Sequence, residues 1–187
     1  MFLKRVFDIL VSFLGIIFFL PLMVLTGLII KFTSSGPILF KQKRLTKGAR
    51  EFTIYKFRSM RIDFDKDAKG IQVKGSNSAI TPIGKFIRKT KIDELPQLFN
   101  VLKGDMSLVG PRPPIPHEVD QYNSYQMQRL AVKPGLTCIW QVSGRNNIGF
   151  DEWVEMDIEY IKTRNLWLDI KLIFKTVGVL FGDDNAS

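Results

Sequence analysis

The sequence predicts a mostly helical α+β chain, in which an N-terminal helix inserts into a membrane and a small membrane-associated domain with short strands and amphipathic helices follows. Three observations predict this class: an uncharged apolar run at residues 9–30, short β-like segments after it, and several stretches with helical periodicity. Of the 187 residues, 45% are hydrophobic although 24% are charged, so the apolar residues must be concentrated. We therefore divide the chain into residues 1–35, which insert, and residues 36–187, which form the folded domain.

The apolar run contains no Asp, Glu, Lys or Arg. At about 1.5 Å per residue it reaches roughly the 30 Å of a hydrocarbon core. A signal peptide is one alternative, because Lys4 and Arg5 precede the run, but the run is longer than a usual signal peptide core and no small-residue cleavage site follows it. A buried core helix is the other alternative, and a domain of this size has too little interior to enclose a helix that is apolar on all faces.

The flanks of the run leave its topology open. Lys4 and Arg5 precede it and a stronger basic cluster follows at residues 31–44, whereas positive charge normally marks the cytoplasmic side. A spanning helix would separate these flanks, and a re-entrant helix would return both to one side. Pro21, near the middle of the run, removes one backbone hydrogen bond and can kink the helix, which slightly favours the re-entrant arrangement.

Periodicity and turn residues predict the elements of the remaining chain. Extended segments are expected at 38–40 and 52–55, and helices at 83–90, 93–102, 118–130, 151–163 and 166–181. Residues 133–145 are expected to form a loop with one short extended piece. The last helix has apolar residues at helical spacing, so it either packs on the core or lies in the membrane interface, with Trp167 and Lys171 near the headgroups.

The charge balance indicates an anionic partner. The formal net charge is +9, as expected of a chain that contacts nucleic acid, an anionic membrane surface or a phosphorylated substrate. A membrane-anchored nucleic-acid-binding module is therefore the alternative from another functional class, although such a module needs no pair of adjacent carboxylates. The single cysteine, Cys138, excludes an internal disulfide.

Two adjacent carboxylates, Asp93 and Glu94, follow a cation-rich stretch with Arg88, Lys89 and Lys91. In one interpretation Asp93 only caps a helix on a basic surface. In the other, the cations keep Asp93 ionised and attract a phosphate, which the carboxylate attacks to give an acyl phosphate. Because two anions repel each other, this chemistry needs a divalent metal ion and Arg or Lys partners. The spacing alone leaves both interpretations open.

Three further basic segments supply candidate anion-binding residues. Arg112 lies between two prolines, which restrict its backbone and suit bidentate phosphate recognition, although a Pro-rich segment is also typical of a rigid linker. Lys56 and Arg58 bring more cations to the same anion. Arg145 belongs to a polar turn that either contacts a nucleotide or simply connects two elements.

Five segments occur in order along the chain. They are Lys-Arg-x-x-Asp before the apolar run, Tyr-Lys-Phe-Arg-Ser-Met at 55–60, residues 93–113, Lys-Pro-Gly-Leu-Thr, and Gln-Val-Ser-Gly-Arg-Asn. This order resembles the monotopic phosphoglycosyl transferase superfamily, the bacterial sugar transferases that begin polysaccharide and glycoconjugate assembly. The resemblance covers nearly the whole chain, and residues 93–113 are its most specific part.

The resemblance implies an activity and a role for each candidate residue. The implied reaction moves a sugar-1-phosphate from a UDP-sugar to undecaprenyl phosphate, through a covalent phosphosugar–enzyme species and with release of UMP. Asp93 is then the nucleophile and Glu94 its partner, and both carboxylates are implied ligands of Mg²⁺. The implied substrate-binding residues are Lys56, Arg58, Arg88, Arg112 and Arg145.

The resemblance also implies a location. Family members have a re-entrant N-terminal helix that places the active site at the cytoplasmic face of the bacterial inner membrane, so the lipid bilayer is an expected partner, nucleic acid is not, and self-association stays open. One departure is that several members have Ser before the proline at the helix break, where this chain has Leu20. Larger members carry a further membrane domain, so this chain is expected to be the minimal catalytic form. A polyprenyl-phosphate phosphatase is the competing activity.

Overall fold

The computed structural model describes residues 2–61, 79–143 and 148–182, with side chains described as far as residue 179. Within these ranges the chain is mostly helical with two small sheets, which confirms the predicted class. The helices are α1 (Phe2–Thr33), α2 (Pro82–Lys89), α3 (Gln97–Lys103), α4 (Pro116–Val119), α5 (Phe150–Thr163) and α6 (Leu166–Gly182). The strands are β1 (Leu39–Leu45), β2 (Glu51–Phe57), β3 (Ser107–Val109) and β4 (Gly135–Thr137).

Helix α1 contains the whole predicted apolar run and extends beyond it at both ends, to 32 residues. Pro21 lies inside this helix without ending it. By length and composition α1 could cross a membrane, and only 22% of its most apolar window is buried. One stripe, which includes Ile16 and Ile30, packs on the folded domain, whereas Phe13 and Phe18 on other faces are 51% and 77% exposed. The helix therefore presents an apolar surface that the described part of the chain does not cover.

The start of α1 is held in the domain by polar contacts. Lys4 pairs with Asp169 of α6. Arg5 donates from two guanidinium nitrogens to the carbonyls of Val101 and Leu102, at 2.7 and 2.8 Å, which satisfies the end of α3. Asp8, which is 3% exposed, accepts hydrogen bonds from Ser107 Oγ and from the Leu108 N–H. These contacts join α1 to α3, β3 and α6.

Strands β1 and β2 form an antiparallel hairpin in which Leu39 pairs with Phe57 and Leu45 with Glu51. Gly48 has a φ of +70° in the connecting turn, a conformation that glycine adopts without steric cost. Both predicted extended segments are confirmed, and both strands are longer than predicted. Because side chains alternate between the faces of a strand, Lys56 shares a face with the buried Ile54. Lys56 is therefore a cation on a face of the hairpin whose other residues pack in the core.

The main core lies where five elements meet. Ile16 of α1, Ile54 of β2, Val101 of α3, Leu108 of β3 and Leu172 of α6 belong to one buried cluster. Strands β3 and β4 pair in parallel at its centre, with Ser107 opposite Gly135 and Val109 opposite Thr137. β4 is the short extended piece expected at 133–145, whereas β3 was not expected from the sequence.

The predicted helix at 118–130 is wrong. The structure has only the short α4 and a separate 3₁₀ turn at Gln126–Ala131. Between them Asn123 and Gln126 exchange hydrogen bonds, each side-chain oxygen accepting from the other residue's backbone N–H at 2.9 Å. Asn side chains compete in this way with the backbone bonds of a helix, so the helical periodicity is broken there.

Candidate active site

A left-handed residue introduces the turn that carries the two carboxylates. After α2 ends at Lys89, Lys91 adopts a φ of +57°. This conformation is costly for a residue with a side chain, so it persists because the surrounding structure enforces it. Ile92–Glu94 then form a 3₁₀ turn. Asp93 and Glu94 are therefore presented by a tight turn whose entry is fixed by Lys91.

This turn is separate from α3, which corrects the predicted helix at 93–102. The α-helix begins only at Gln97. Pro96 has no N–H to donate to the Ile92 carbonyl, so the bonds before it are the shorter 3₁₀ type, from the Leu95 N–H to the Ile92 carbonyl at 3.2 Å. Gly104 caps the end of this helix with a φ of +98°.

Glu94 forms an ion pair with a cation from the hairpin. Lys56 Nζ donates to Glu94 Oε1 at 2.7 Å, and the two side chains are 30% and 24% exposed. Burial raises the pKa of Glu94, but the charge and hydrogen bond of Lys56, followed by Lys91 and Arg112, outweigh it and bring this pKa below its usual value. Glu94 is therefore an ionised, firmly oriented carboxylate at neutral pH.

Asp93 has the opposite environment. It is 8% exposed, and its Oδ1 is buried without a hydrogen-bond partner in the described ranges. Burial, and next the negative charge of Glu94, raise its pKa from 3.8 to about 6, while Lys56, Lys91 and Arg88 oppose the rise. Two adjacent carboxyl groups with pKa values driven in opposite directions are typical of catalytic pairs.

The cations around this pair come from three elements. Lys56 belongs to β2 and Arg88 to the exposed side of α2. Arg112 follows β3 and is close enough to lower the pKa of Glu94, with its guanidinium carbon 5.8 Å from the centre of the Trp153 ring. The structure thus brings together five of the seven predicted site residues: Asp93, Glu94, Lys56, Arg88 and Arg112.

The other two predicted residues differ. Arg58 is 5% exposed and bonds elsewhere: its guanidinium donates to the carbonyls of Ser34 and Ser35 and to Ser34 Oγ, just after α1 ends. In this structure Arg58 fixes the end of the apolar helix, and phosphate binding by Arg58 stays a prediction. Arg145 lies outside the described residues.

Arg44 of β1 is part of the site and was not singled out in the sequence. It donates to Gln42 Oε1 at 2.6 Å and to the Pro113 carbonyl at 3.0 Å, next to Arg112. Burial, and next the charge of Arg112, lower its pKa to about 10. Arg44 therefore holds the proline-flanked loop against the hairpin. In the sequence it is only one of several cations in a basic flank, and no spacing distinguishes it.

Trp153 contacts two arginines. The guanidinium carbons of Arg112 and Arg129 lie 5.8 and 4.5 Å from the centre of its ring. Arg129 is buried and pairs with Asp157 at 2.8 Å. Burial raises the pKa of Asp157 to about 6 even though Arg129 opposes it. Trp153, Arg129 and Asp157 thus form a structural cluster that supports the loop carrying Arg112.

The donor set can be tested against Mg²⁺. In the described ranges no three His, Cys, Asp or Glu side chains converge on one point. Mg²⁺ does not need such a cage, since it commonly binds one or two carboxylates and completes its octahedron with substrate phosphates and water. Asp93 offers a buried carboxylate oxygen without a hydrogen-bond partner, and Glu94 is adjacent. These residues fit Mg²⁺ when a phosphorylated substrate is bound.

The chain is similar to several known proteins. A family model described as bacterial sugar transferase matches residues 1–183. The galactosyl transferase CpsE of Streptococcus agalactiae is 51% identical over 156 residues, which cover 78% of this chain and 35% of that protein. Undecaprenyl-phosphate galactose phosphotransferase of Salmonella typhimurium is 43% identical over 204 residues, with 99% of this chain and 42% of that protein covered.

A third relative carries another sugar in its name. UDP-N-acetylgalactosamine-undecaprenyl-phosphate N-acetylgalactosaminephosphotransferase of Aeromonas hydrophila is 44% identical over 185 residues, which cover 96% of this chain and 44% of that protein. The chain thus spans less than half the length of each of these three relatives. The family model, in contrast, extends over nearly the whole of this chain.

Proposed function

This chain belongs to the bacterial sugar transferase family, and from that premise we propose that it transfers a sugar-1-phosphate from a UDP-sugar to undecaprenyl phosphate. The products are a polyprenyl-diphosphate sugar and UMP. The observation that carries the proposal is the Asp93–Glu94 pair, in which one carboxyl is ionised by Lys56 and the other is buried without a hydrogen-bond partner for Oδ1 in the described ranges. The names of two relatives, for a galactose and an N-acetylgalactosamine phosphotransferase, support the class of reaction.

In the first step Asp93 acts as the nucleophile. One carboxylate oxygen forms a bond to the sugar-linked phosphorus of the UDP-sugar, and the bond from that phosphorus to the bridging oxygen breaks. The electron pair leaves with UMP, and an aspartyl phosphosugar remains on the chain. Because the pKa of Asp93 is about 6, most of this carboxyl is ionised at pH 7.5 and available for attack.

In the second step the phosphate of the polyprenyl acceptor attacks the same phosphorus. The bond to Asp93 breaks and the electron pair returns to the carboxylate, so the enzyme is regenerated. Glu94 is held beside the reacting group by its ion pair with Lys56. Arg112 and Arg88 supply positive charge that offsets the negative charge of the two phosphates.

Asp93 and Glu94 are the residues that would hold Mg²⁺ together with substrate oxygens. When bound, the ion would neutralise part of the negative charge of the phosphates. The ion pair with Lys56 fixes the position of the Glu94 carboxylate in this arrangement.

A re-entrant insertion of α1 at the cytoplasmic face of the inner membrane is the second part of the proposal. Both ends of the helix contact the same domain: Arg5 and Asp8 bond to α3 and β3, and Ser34 and Ser35 accept from Arg58. A helix that spanned the bilayer would separate its ends by roughly 30 Å of hydrocarbon. Contact of both ends with one domain supports an arrangement in which they stay on one side, with the exposed apolar face in lipid.

The decisive test is the covalent species. Purified chain is incubated with Mg²⁺ and each of a panel of UDP-sugars, without acceptor, and its intact mass is measured. We expect release of UMP and a mass increase equal to one sugar phosphate, with both lost in Asp93→Asn. Glu155→Gln, an exposed change on α5, is the matched control and should retain both.

Addition of undecaprenyl phosphate separates transfer from hydrolysis. A polyprenyl-diphosphate sugar must form as the adduct disappears. Retained turnover in Asp93→Asn would refute the nucleophile, and release of free phosphate from undecaprenyl phosphate would identify a phosphatase instead. The UDP-sugar that gives the largest adduct yield identifies the donor.

A further inference from the structure

Helix α3 carries two buried amide side chains with opposite hydrogen-bonding states. Asn100 is fully buried and fully used: its Nδ2 donates to the Thr53 carbonyl at 2.7 Å, and its Oδ1 accepts from the Tyr55 N–H at 3.1 Å. It joins α3 to the edge of β2. Gln97, one turn earlier, is 3% exposed, and its Nε2 has no hydrogen-bond partner in the described ranges.

A buried donor without an acceptor is unusual, because most buried polar side-chain atoms in proteins are paired. Leaving such a group unpaired is unfavourable. Asp93, nearby in the chain, has the complementary unpaired group: its Oδ1 is a buried acceptor that likewise has no partner among the described residues. One hydrogen bond between the two side chains would pair both groups.

The backbone places these two groups on one side of a continuous right-handed turn. Leu95 and Pro96 both have right-handed helical dihedral angles, so the 3₁₀ turn runs directly into α3. Residues four apart on such a turn are neighbours. The buried positions Asp93, Gln97 and Asn100 follow this spacing and form one inward stripe.

Strand β2 lies along the same stripe. Its Lys56 bonds to Glu94 at one end, and its Thr53 and Tyr55 bond to Asn100 at the other. Gln97 lies between these two fixed points on the stripe, one turn after the nucleophile. Because Oδ1 of Asp93 is buried, Oδ2 is the oxygen that would meet a substrate in this arrangement.

We propose that Gln97 is a positioning residue for the nucleophile: when the UDP-sugar binds, its Nε2, which is unpaired among the described residues of this structure, donates to Oδ1 of Asp93 and so directs Oδ2 at the phosphorus. This inference rests on the proposed function. In the first step Oδ2 bonds to phosphorus while UMP leaves with the electron pair of the broken bond. In the second step that pair returns to the carboxylate, and the Gln97 donor stabilises the departing charge on Oδ1. No proton moves to or from Gln97.

The test compares Gln97→Leu with Asn100→Leu in the full chain. The rate of adduct formation is measured in single turnovers with a UDP-sugar and Mg²⁺, together with the UDP-sugar concentration for half-maximal rate and the unfolding temperature. Gln97→Leu should slow adduct formation roughly 10- to 100-fold, as expected for a lost hydrogen bond to a charged group. Its half-saturating concentration should change less than about twofold, because Gln97 does not contact the substrate in this role.

The stability readout distinguishes positioning from structure. In the absence of substrate, Gln97→Leu should not lower the unfolding temperature, since the amide it removes has no partner in the described ranges of the free chain, whereas Asn100→Leu should lower it by several degrees. Gln97→Glu is the second variant: it keeps the shape, removes the donor at neutral pH, and should show the same loss of rate.

Two results overturn the role of Gln97. One is an unchanged rate of adduct formation in Gln97→Leu and Gln97→Glu. The other is a loss of rate that is accompanied by a fall in unfolding temperature as large as that of Asn100→Leu, which would make Gln97 a structural residue. Failure of the unsubstituted chain to form any adduct refutes the proposed function itself, and is thereby distinct from both.

Discussion

Two regions of this molecule bury polar side chains, and they treat them in opposite ways. At the start of α1, Lys4, Arg5 and Asp8 all have partners in the domain. In the turn before α3 and at its first residue, Asp93 Oδ1 and Gln97 Nε2 have none in the described ranges. Paired buried groups stabilise a fold, whereas unpaired ones lower its stability. The start of α1 therefore stabilises the structure, whereas the turn before α3 contains the proposed active site.

The largest effect on stability is expected at the paired end. Asp8→Ala removes the acceptor of Ser107 Oγ and of the Leu108 N–H, both in the buried β3. Two buried donors without an acceptor should lower the free energy of unfolding by about 3–5 kcal/mol. Thermal unfolding in one detergent should show a fall of about 10 °C.

Asp8→Asn is the matched control for this change. Its carbonyl oxygen can still accept one hydrogen bond, so the loss should be about half as large. The comparison would be broken if Asp8→Ala unfolded at the same temperature as the unsubstituted chain, because the start of α1 would then contribute nothing to the fold.

The second-largest effect is an increase in the free energy of unfolding, expected when Asp93 is substituted. Burial raises the pKa of Asp93 from 3.8 to about 6, so at pH 7.5 the folded chain holds a carboxylate that is less favourable there than in the unfolded chain. Asp93→Asn should therefore raise the free energy of unfolding by about 1–3 kcal/mol at pH 7.5, measured with a chelator present. The proposed nucleophile is therefore expected to lower the stability of the fold.

The pH dependence of this gain provides the internal check. As the pH falls below 6 the folded chain takes up a proton on Asp93, and the penalty shrinks until it vanishes near pH 3.8. The difference between Asp93→Asn and the unsubstituted chain should thus be full at pH 7.5 and smaller at pH 5, while Glu155→Gln gives no difference at either pH. A variant that is less stable at pH 7.5 would contradict the assigned environment of Asp93.

The smallest effect is expected for an ion pair outside both regions. Lys43 and Glu51 pair across the hairpin with side chains 71% and 51% exposed. Solvent screens such a pair, so Lys43→Ala should change the free energy of unfolding by less than about 0.5 kcal/mol. A loss as large as that of Asp8→Ala would show that burial is not what distinguishes these contacts.

The elements with long periodic patterns could be predicted from the sequence, whereas the short β3 and the short helix α4 could not. The uncharged run marks α1, and the spacing of apolar residues marks α5 and α6. β3 has three residues, all buried, so it shows no alternation that would distinguish it from a loop. The predicted helix at 118–130 failed because its periodicity says nothing about the side-chain to backbone bonds that Asn123 makes.

The site was predictable where charge defines it. Asp93, Glu94 and the cations Lys56, Arg88 and Arg112 could be singled out because they are charged and lie in specific motifs, and the structure brings them together. Neutral or structurally occupied groups give no such signal: the unpaired state of Gln97 depends on what lies around it. The engagement of Arg58 with Ser34 likewise depends on a contact between residues far apart in sequence.

The pairing of Lys4 with Asp169 has a consequence for biosynthesis. The two residues are separated by 165 positions, and a ribosome that adds about 5–20 residues per second needs roughly 10–30 s to make that length. Lys4 is therefore translated well before Asp169, and the start of α1 can complete its ion pair only after α6 has been made. Folding of the domain is thus completed only when its C-terminal helix is available to pack.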